Sequence, residues 1–138
     1  MQRETLESLR DELGLRERVR FPGLTKEHYK TMSRADIFVL SSRTEGFPNV
    51  LGEAMACGLP VVSFDCPCGS SEMTQDGVNG LLVPPENIQE LSSSLERLMA
   101  SVELRNTLGE QARKITESYS LDKVVQSWEE LIGEVVNE

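Results

Sequence analysis

The sequence predicts an α/β fold, a doubly wound parallel sheet of about four strands flanked by helices, with a final third that is entirely helical. Two observations carry this. Short β-branched or apolar runs alternate with amphipathic segments, which is the pattern of consecutive βα units. The runs at residues 37–40, 61–64 and 81–83 are apolar on both faces, as strands covered by helices on either side must be. A shorter run at residues 19–21 supplies a fourth strand.

The intervening helices have readable ends. The first spans about residues 5–13, with Leu6, Leu9 and Leu13 on one face and Gly14 as its stop. The second follows Thr25, a suitable N-cap, and carries Tyr29 and Met32 inward. The third covers about residues 50–57 and ends at Gly58 and Pro60. Ser70 or Ser71 caps a further turn through Met73, and Asp76-Gly77 and Asn79-Gly80 mark two turns. Asn87 with Glu90 resembles a capping box ahead of a stripe of Leu91, Leu95, Leu98 and Met99. Helices at about residues 103–117 and 121–136 follow, the latter capped by Ser120. The helical spacing of Trp128 with Val125, Leu131 and Ile132 predicts that this last helix packs onto the domain.

A chain of 138 residues corresponds to one domain, residues 1–138, large enough for a core without metal or disulfide staples. Its 14 Lys and Arg against 23 Asp and Glu give a formal charge of −9. Neutralising phosphates takes clustered cations, so this balance argues against a nucleic-acid or anionic-membrane surface and for small molecules or proteins as partners. No apolar run exceeds residues 37–40, far short of the roughly 20 residues of a transmembrane helix. The charged, helix-like N-terminus lacks the apolar centre of a secretory signal, which makes the cytoplasm the expected compartment. Cys57, Cys66 and Cys68 form no C-x-x-C pair, and His28 is the only histidine. The cysteines read as reduced and structural, and no zinc site is expected.

Chemistry concentrates in residues 41–65, SSRTEGFPNVLGEAMACGLPVVSFD. This stretch leaves a strand at its carboxyl end, where open α/β sheets bind ligands, and enters a helix through Gly46, Phe47, Pro48 and Asn49. The amides of Asn49, Val50 and Leu51 then open the helix without intrahelical partners and suit an anion. Glu45 and Glu53, with seven residues between them, flank that position. Carboxylates accept pairs of hydrogen bonds from vicinal diols, so a diphosphate with hydroxyl-rich groups at both ends fits the layout. A nucleotide sugar is such a ligand.

The chain here resembles the C-terminal domain of retaining family 4 glycosyltransferases of the GT-B fold. Their hallmark is two glutamates spaced by seven residues and followed by EAMA-x-G-x-PVV, matched by Glu45, Glu53 and EAMACGLPVV. VRFPG at 19–23, RADIFVLSS at 34–42, DCPCGSSE at 65–72, DGVNGLLVPP at 76–85 and R-x-x-L-G-x-x-A-R at 105–113 extend the resemblance over nearly the whole chain. It implies a Rossmann-like half of a GT-B enzyme, peripheral to a membrane at most through its other half. Glu53 would bind the ribose of the donor, and Glu45 a sugar hydroxyl near the reacting carbon. Gly46, Phe47 and Pro48 would border the sugar; Asn49, Val50 and Leu51 would meet the diphosphate; Gly23 and Leu24 would lie near the base, with UDP the favoured nucleotide. Ser41 and Ser42 are weaker candidates. Glu72 reads as a local capping residue, and His28 as a surface position at a helix start. No D-x-D occurs, so neither a metal ion nor a cofactor is expected.

The same resemblance implies that the first two strands of the domain, a basic clamp of Arg and Lys in the loop after the first, and the N-terminal acceptor-binding domain are absent. Residues 19–21 are then expected either to dock beside residues 37–40 or to pair with another chain. A transferase's donor-binding part and a non-catalytic nucleotide-sugar-binding module that needs a partner chain are the two readings that remain. A sugar-nucleotide epimerase fits the EAMACGLPVV context less well, and no G-x-G-x-x-G or Walker A motif points to a dinucleotide oxidoreductase or a P-loop enzyme.

Overall fold

A computed structural model describes residues 2–66 and 69–136. The reading of Cys68 falls outside these residues, as does part of the DCPCGSSE run. The chain runs α1 (Gln2–Glu12), α2 (His28–Met32), β1 (Phe38–Leu40), α3 (Asn49–Ala56), β2 (Val61–Phe64), α4 (Ser70–Met73) and β3 (Leu81–Val83), then α5 (Ile88–Ala100), α6 (Val102–Arg113), α7 (Ile115–Ser118) and α8 (Leu121–Val136). The strands form a parallel sheet in the order β1-β2-β3, with Phe38 opposite Val61 and Val62 opposite Leu81.

Every residue of β2 is buried, so both faces of the sheet are covered at its centre. Val61 joins Leu40, Leu51, Met55 and Met73 on the side of α3. Val62 and Phe64 point to the other side, where Leu81, Val83, Leu98 and Leu108 complete a second cluster. Each fully buried side chain of this size contributes roughly 1.5–3 kcal/mol. Asn87 caps α5 as expected: its Oδ1 accepts from the Glu90 amide at 3.1 Å while its Nδ2 donates to the Glu90 carboxylate at 2.9 Å. Gly109 marks the tightest crossing. A Cβ there would stand 2.3 Å from the carbonyl oxygen of Gly58, the residue that ends α3 with φ 76°.

Five expectations are corrected. Residues 19–21 form no strand, which leaves three strands rather than four among the described residues. A strand needs a neighbour to take its backbone bonds. These residues instead bind the N-terminal helical segment: the Val19 amide donates to Leu15 O at 2.9 Å and Arg3 Nη2 to Phe21 O at 2.6 Å, with the Arg10 guanidinium 5.7 Å from the Phe21 ring centre. They do not dock beside β1. Thr25 does not cap α2; its Oγ1 accepts from the Glu27 amide at 3.0 Å and turns the chain before the helix, whose N-cap is Glu27. Of the two residues expected inward on α2, only Met32 is buried, and Tyr29 is 54% exposed. The helix expected over residues 103–117 breaks at Lys114 into α6 and α7. Trp128 does not pack α8 onto the domain: it is 60% exposed, and α8 buries none of its residues. Its apolar stripe stays exposed, with Val124, Trp128 and Leu131 bordering a shallow cavity beside Ser118 and Tyr119. No helix among them is long and apolar enough to cross a membrane.

Candidate functional site

Two loops meet at the carboxyl edge of the sheet. Residues 41–48 leave β1 and enter α3, Asp65 and Cys66 leave β2, and Gly69 precedes α4. Pro48, fully buried, is wedged against Gly69, whose φ of 138° and lack of a side chain permit the approach. Below this junction Ser63 Oγ donates to Phe64 O at 2.9 Å and lies 3.1 Å from Ser70 Oγ, and Cys66 Sγ is 3.2 Å from Ser70 Oγ. These buried polar groups are mutually satisfied, so they tie Cys66 and the start of α4 to β2.

The entry to α3 is tighter than a free helix end. The Asn49 amide donates to Phe47 O and the Leu51 amide to Pro48 O, each at 2.9 Å. The Val50 amide donates no such bond among the described residues. Pro48, as the N-cap, offers no side-chain cap either. One amide of the expected three therefore has no partner among the described residues.

Glu53 lies one turn further along α3 and turns its carboxylate toward α2. The Tyr29 hydroxyl is 3.5 Å from Oε1, and His28 Nε2 is 3.5 Å from Oε2. The His28 and Tyr29 rings pack with centroids 4.1 Å apart and tilted by 40°. Beside Glu53 opens a cavity of about 280 Å³ bordered by Tyr29, Phe47, Asn49, Met73 and Tyr119. Phe47 and Tyr119 face each other across 6.0 Å. Glu45 is half-buried and makes neither a hydrogen bond nor an ion pair among the described residues, which leaves its oxygens available to a ligand. Gly46 has open space where a side chain would stand, and Leu24 is fully exposed beside Gly23 on the segment that leads into α2. Ser41 is exposed and Ser42 half-buried. Arg43, a cation of this loop, reaches Glu86 at 3.5 Å.

The structure thus brings Glu53, Phe47 and Asn49 to one cavity, adds Tyr29 and Tyr119 to its lining and sets His28 against Glu53, none of which sequence reasoning assigned to the site. No local pattern could have joined them, since they belong to α2 and to the turn after α7. Glu72 forms no ligand-like cluster with them; it lies on α4, exposed. A larger cavity, about 490 Å³, sits at the opposite, amino edge of the strands. Its two arginines are structural: Arg105 Nη1 donates to Leu98 O at 2.6 Å and Arg113 Nη2 to Cys57 O at 3.4 Å, so the R-x-x-L-G-x-x-A-R run serves packing. Among the described residues no three of His, Cys, Asp and Glu gather as a metal cluster.

The profile of the glycosyl transferases group 1 family matches residues 1–115. The chain belongs to that family. This glycosyltransferase domain is 36% identical over 137 residues to an exopolysaccharide phosphotransferase of Streptomyces coelicolor, covering 99% of this chain and 14% of that protein. It is 34% identical over 122 residues to a Campylobacter jejuni N-acetylgalactosamine-N,N'-diacetylbacillosaminyl-diphospho-undecaprenol 4-alpha-N-acetylgalactosaminyltransferase, covering 88% of this chain and 33% of that one. Among solved structures, Anabaena HepE in complex with UDP superimposes with a TM-score of 0.89 at 28% identity, over 95% of this chain and 36% of HepE. HepE has also been solved with UDP-glucose, at a TM-score of 0.87. In each case the glycosyltransferase domain spans well under two thirds of its relative's length. Its fold is that of a GT-B C-terminal-like domain, a parallel sheet between helices followed by a helical part.

Proposed function

We propose that this chain is the donor-binding part of a retaining family 4 glycosyltransferase. It would move a sugar from a nucleotide-diphosphate sugar, a UDP-sugar foremost, to a glycan or lipid acceptor without a metal ion. The observation that carries this reading is the α3 entrance, bracketed in the chain by Glu45 and Glu53, where among the described residues the Val50 amide donates no backbone bond and Glu45 makes no hydrogen bond or ion pair. The solved complexes of HepE with UDP and UDP-glucose support the ligand class.

In this reading Glu53 accepts hydrogen bonds from the ribose diol, with the base toward Gly23 and Leu24. The diphosphate meets the helix entrance at Asn49, Val50 and Leu51, chiefly through the Val50 N–H. The donor sugar lies over Gly46, Phe47 and Pro48, where Glu45 grips a hydroxyl. As the bond from the anomeric carbon to phosphate breaks, negative charge grows on the leaving diphosphate; a preorganised amide and helix dipole stabilise it without reorganising. The carboxylate of Glu45 favours the positive charge that develops on the sugar. The sequence holds no D-x-D, which supports a metal-independent route. The acceptor side and a cationic clamp on the diphosphate come from an N-terminal domain or a partner chain, at the cytoplasmic face of a membrane, and the chain alone binds donor without transferring it.

Titration of the chain with UDP-, GDP- and ADP-sugars tests the reading, with Glu53→Ala and Glu45→Ala as controls. Loss of a charge-assisted hydrogen bond costs about 1.5–3 kcal/mol, so each variant should bind roughly tenfold to a hundredfold more weakly. Tight binding indifferent to both substitutions would overturn the assignment.

A further inference from the structure

Beyond the two glutamates, the neighbours of Glu53 point to a role for α2. Glu53 projects from α3, and a lone carboxylate on a helix surface samples several rotamers, each of which would present its oxygens to a diol differently. Here both oxygens face α2: the Tyr29 hydroxyl donates to Oε1 at 3.5 Å, and His28 Nε2 stands 3.5 Å from Oε2. The two rings brace one another at 4.1 Å, so neither donor moves independently. A carboxylate has lone pairs for about four hydrogen bonds, so the bond from Tyr29 and the approach of His28 still leave room for a ligand's vicinal hydroxyls. The backing contacts are long, as is common in sites that tighten around a bound ligand. Neither residue has the burial of a packing residue: Tyr29 is 54% exposed and the His28 side chain 43% exposed, while Met32 alone anchors α2 in the core.

We infer that His28 and Tyr29 are positioning residues for Glu53: they hold its carboxylate in the single orientation that accepts both hydroxyls of a nucleotide ribose. This rests on the proposed reading of Glu53 as the ribose-binding residue. It also makes α2 a link between two recognition tasks, because the segment that carries the base-proximal Gly23 and Leu24 runs through the Thr25 turn directly into His28 and Tyr29.

The test compares a ligand that has the diol with one that lacks it. UDP, or whichever of GDP and ADP binds more tightly, is titrated against its 2′,3′-dideoxy counterpart on the full chain and on Tyr29→Phe, His28→Ala and His28→Gln. The wild-type chain should prefer the diol by at least tenfold. Tyr29→Phe and His28→Ala should each lower that preference at least threefold while leaving affinity for the dideoxy ligand unchanged, and His28→Gln, which keeps an N–H near the Nε2 position, should restore it. Equal weakening toward both ligands, or a preference unaltered in Tyr29→Phe and His28→Ala, would overturn the positioning role and leave the reading of Glu53 intact. No preference in the wild-type chain would instead overturn the ribose assignment itself, and the positioning role with it. Thermal unfolding of each variant, expected within a few degrees of wild type, separates a local effect from a loss of folding.

Discussion

Gly69 and Pro48 join the two loops of the candidate site so closely that a Cβ on Gly69 would lie 2.3 Å from the proline Cδ. The contact is backbone against ring, with no flexible side chain to yield, and φ at Gly69 is 138°, where L side chains are strained. Pro48 is the N-cap of α3, so whatever moves it moves the amides that follow.

Gly69→Ala should therefore act twice. Overpacking and the unfavourable backbone angle together should destabilise the fold by about 1–3 kcal/mol. Displacement of Pro48 should also weaken nucleotide-sugar binding in the molecules that remain folded. Gly77→Ala is the control, since φ there is 72° but no atom lies within 4 Å of the added carbon. Chemical denaturation and titration on both variants separate the two effects: the control should lose stability alone. Unaltered binding in folded Gly69→Ala would show that Pro48 does not set the helix entrance.

Asp11 supplies a second, local prediction at the end of α1. Side-chain hydrogen bonds from Arg16, and next from Arg10, hold its carboxyl well below the usual carboxylate range. A carboxylate whose folded pKa is depressed adds stability that is present above its unfolded pKa, about 3.9, and is lost as pH falls through the lowered folded value. The cluster closes the turn in which the Gly14 amide donates to Asp11 O and the Leu15 amide to Arg10 O. Protection of the Gly14 and Leu15 amides, taken relative to their intrinsic exchange rate at each pH, should fall in acid for the wild-type chain, and should already be low at neutral pH in Asp11→Asn. Because the group is exposed, salt should blunt the difference. Identical exchange in both proteins at neutral pH would mean that the turn holds without the ion pairs.

What the sequence made legible follows from how locally each feature is encoded. Residues 61–64 read as a strand because a run apolar on both faces fits only a covered sheet, and the Asn87 cap read correctly because its partner stands three residues away. Residues 19–21 offer only Val and Phe around Arg20, and a strand also needs an adjacent strand, of which the run says nothing; Arg3 of α1 and the turn at Leu15 took the bonds instead. The same holds at the site. Glu45, Glu53 and the α3 entrance lie within one loop and one helix, so their spacing announces them. The approach of His28 and Tyr29 to Glu53 depends on how α2 lies against α3, which no spacing within either helix records. Likewise the amides of Asn49 and Leu51 looked free from helix geometry alone, and the turn through Phe47 and Pro48 uses them.

The amphipathic pattern of α8 predicted burial, and the observed exposure makes Trp128 a sharp test. Val124, Val125, Trp128, Leu131 and Ile132 share one stripe, each at least 41% exposed, so the helix keeps its apolar face without covering it. Truncating a buried aromatic side chain costs about 3–5 kcal/mol, whereas surface substitutions fall within about 0.5 kcal/mol. Trp128→Ala should therefore leave stability within about 0.5 kcal/mol of wild type. Trp128 is the only tryptophan, so its fluorescence reports this helix alone. Iodide should quench that emission nearly as well as it quenches free indole, at protein concentrations too low for self-association. A loss of stability of the buried size, with a midpoint that climbs with protein concentration, would instead mean that a second copy of the chain covers the stripe, because only a bound partner makes stability depend on concentration.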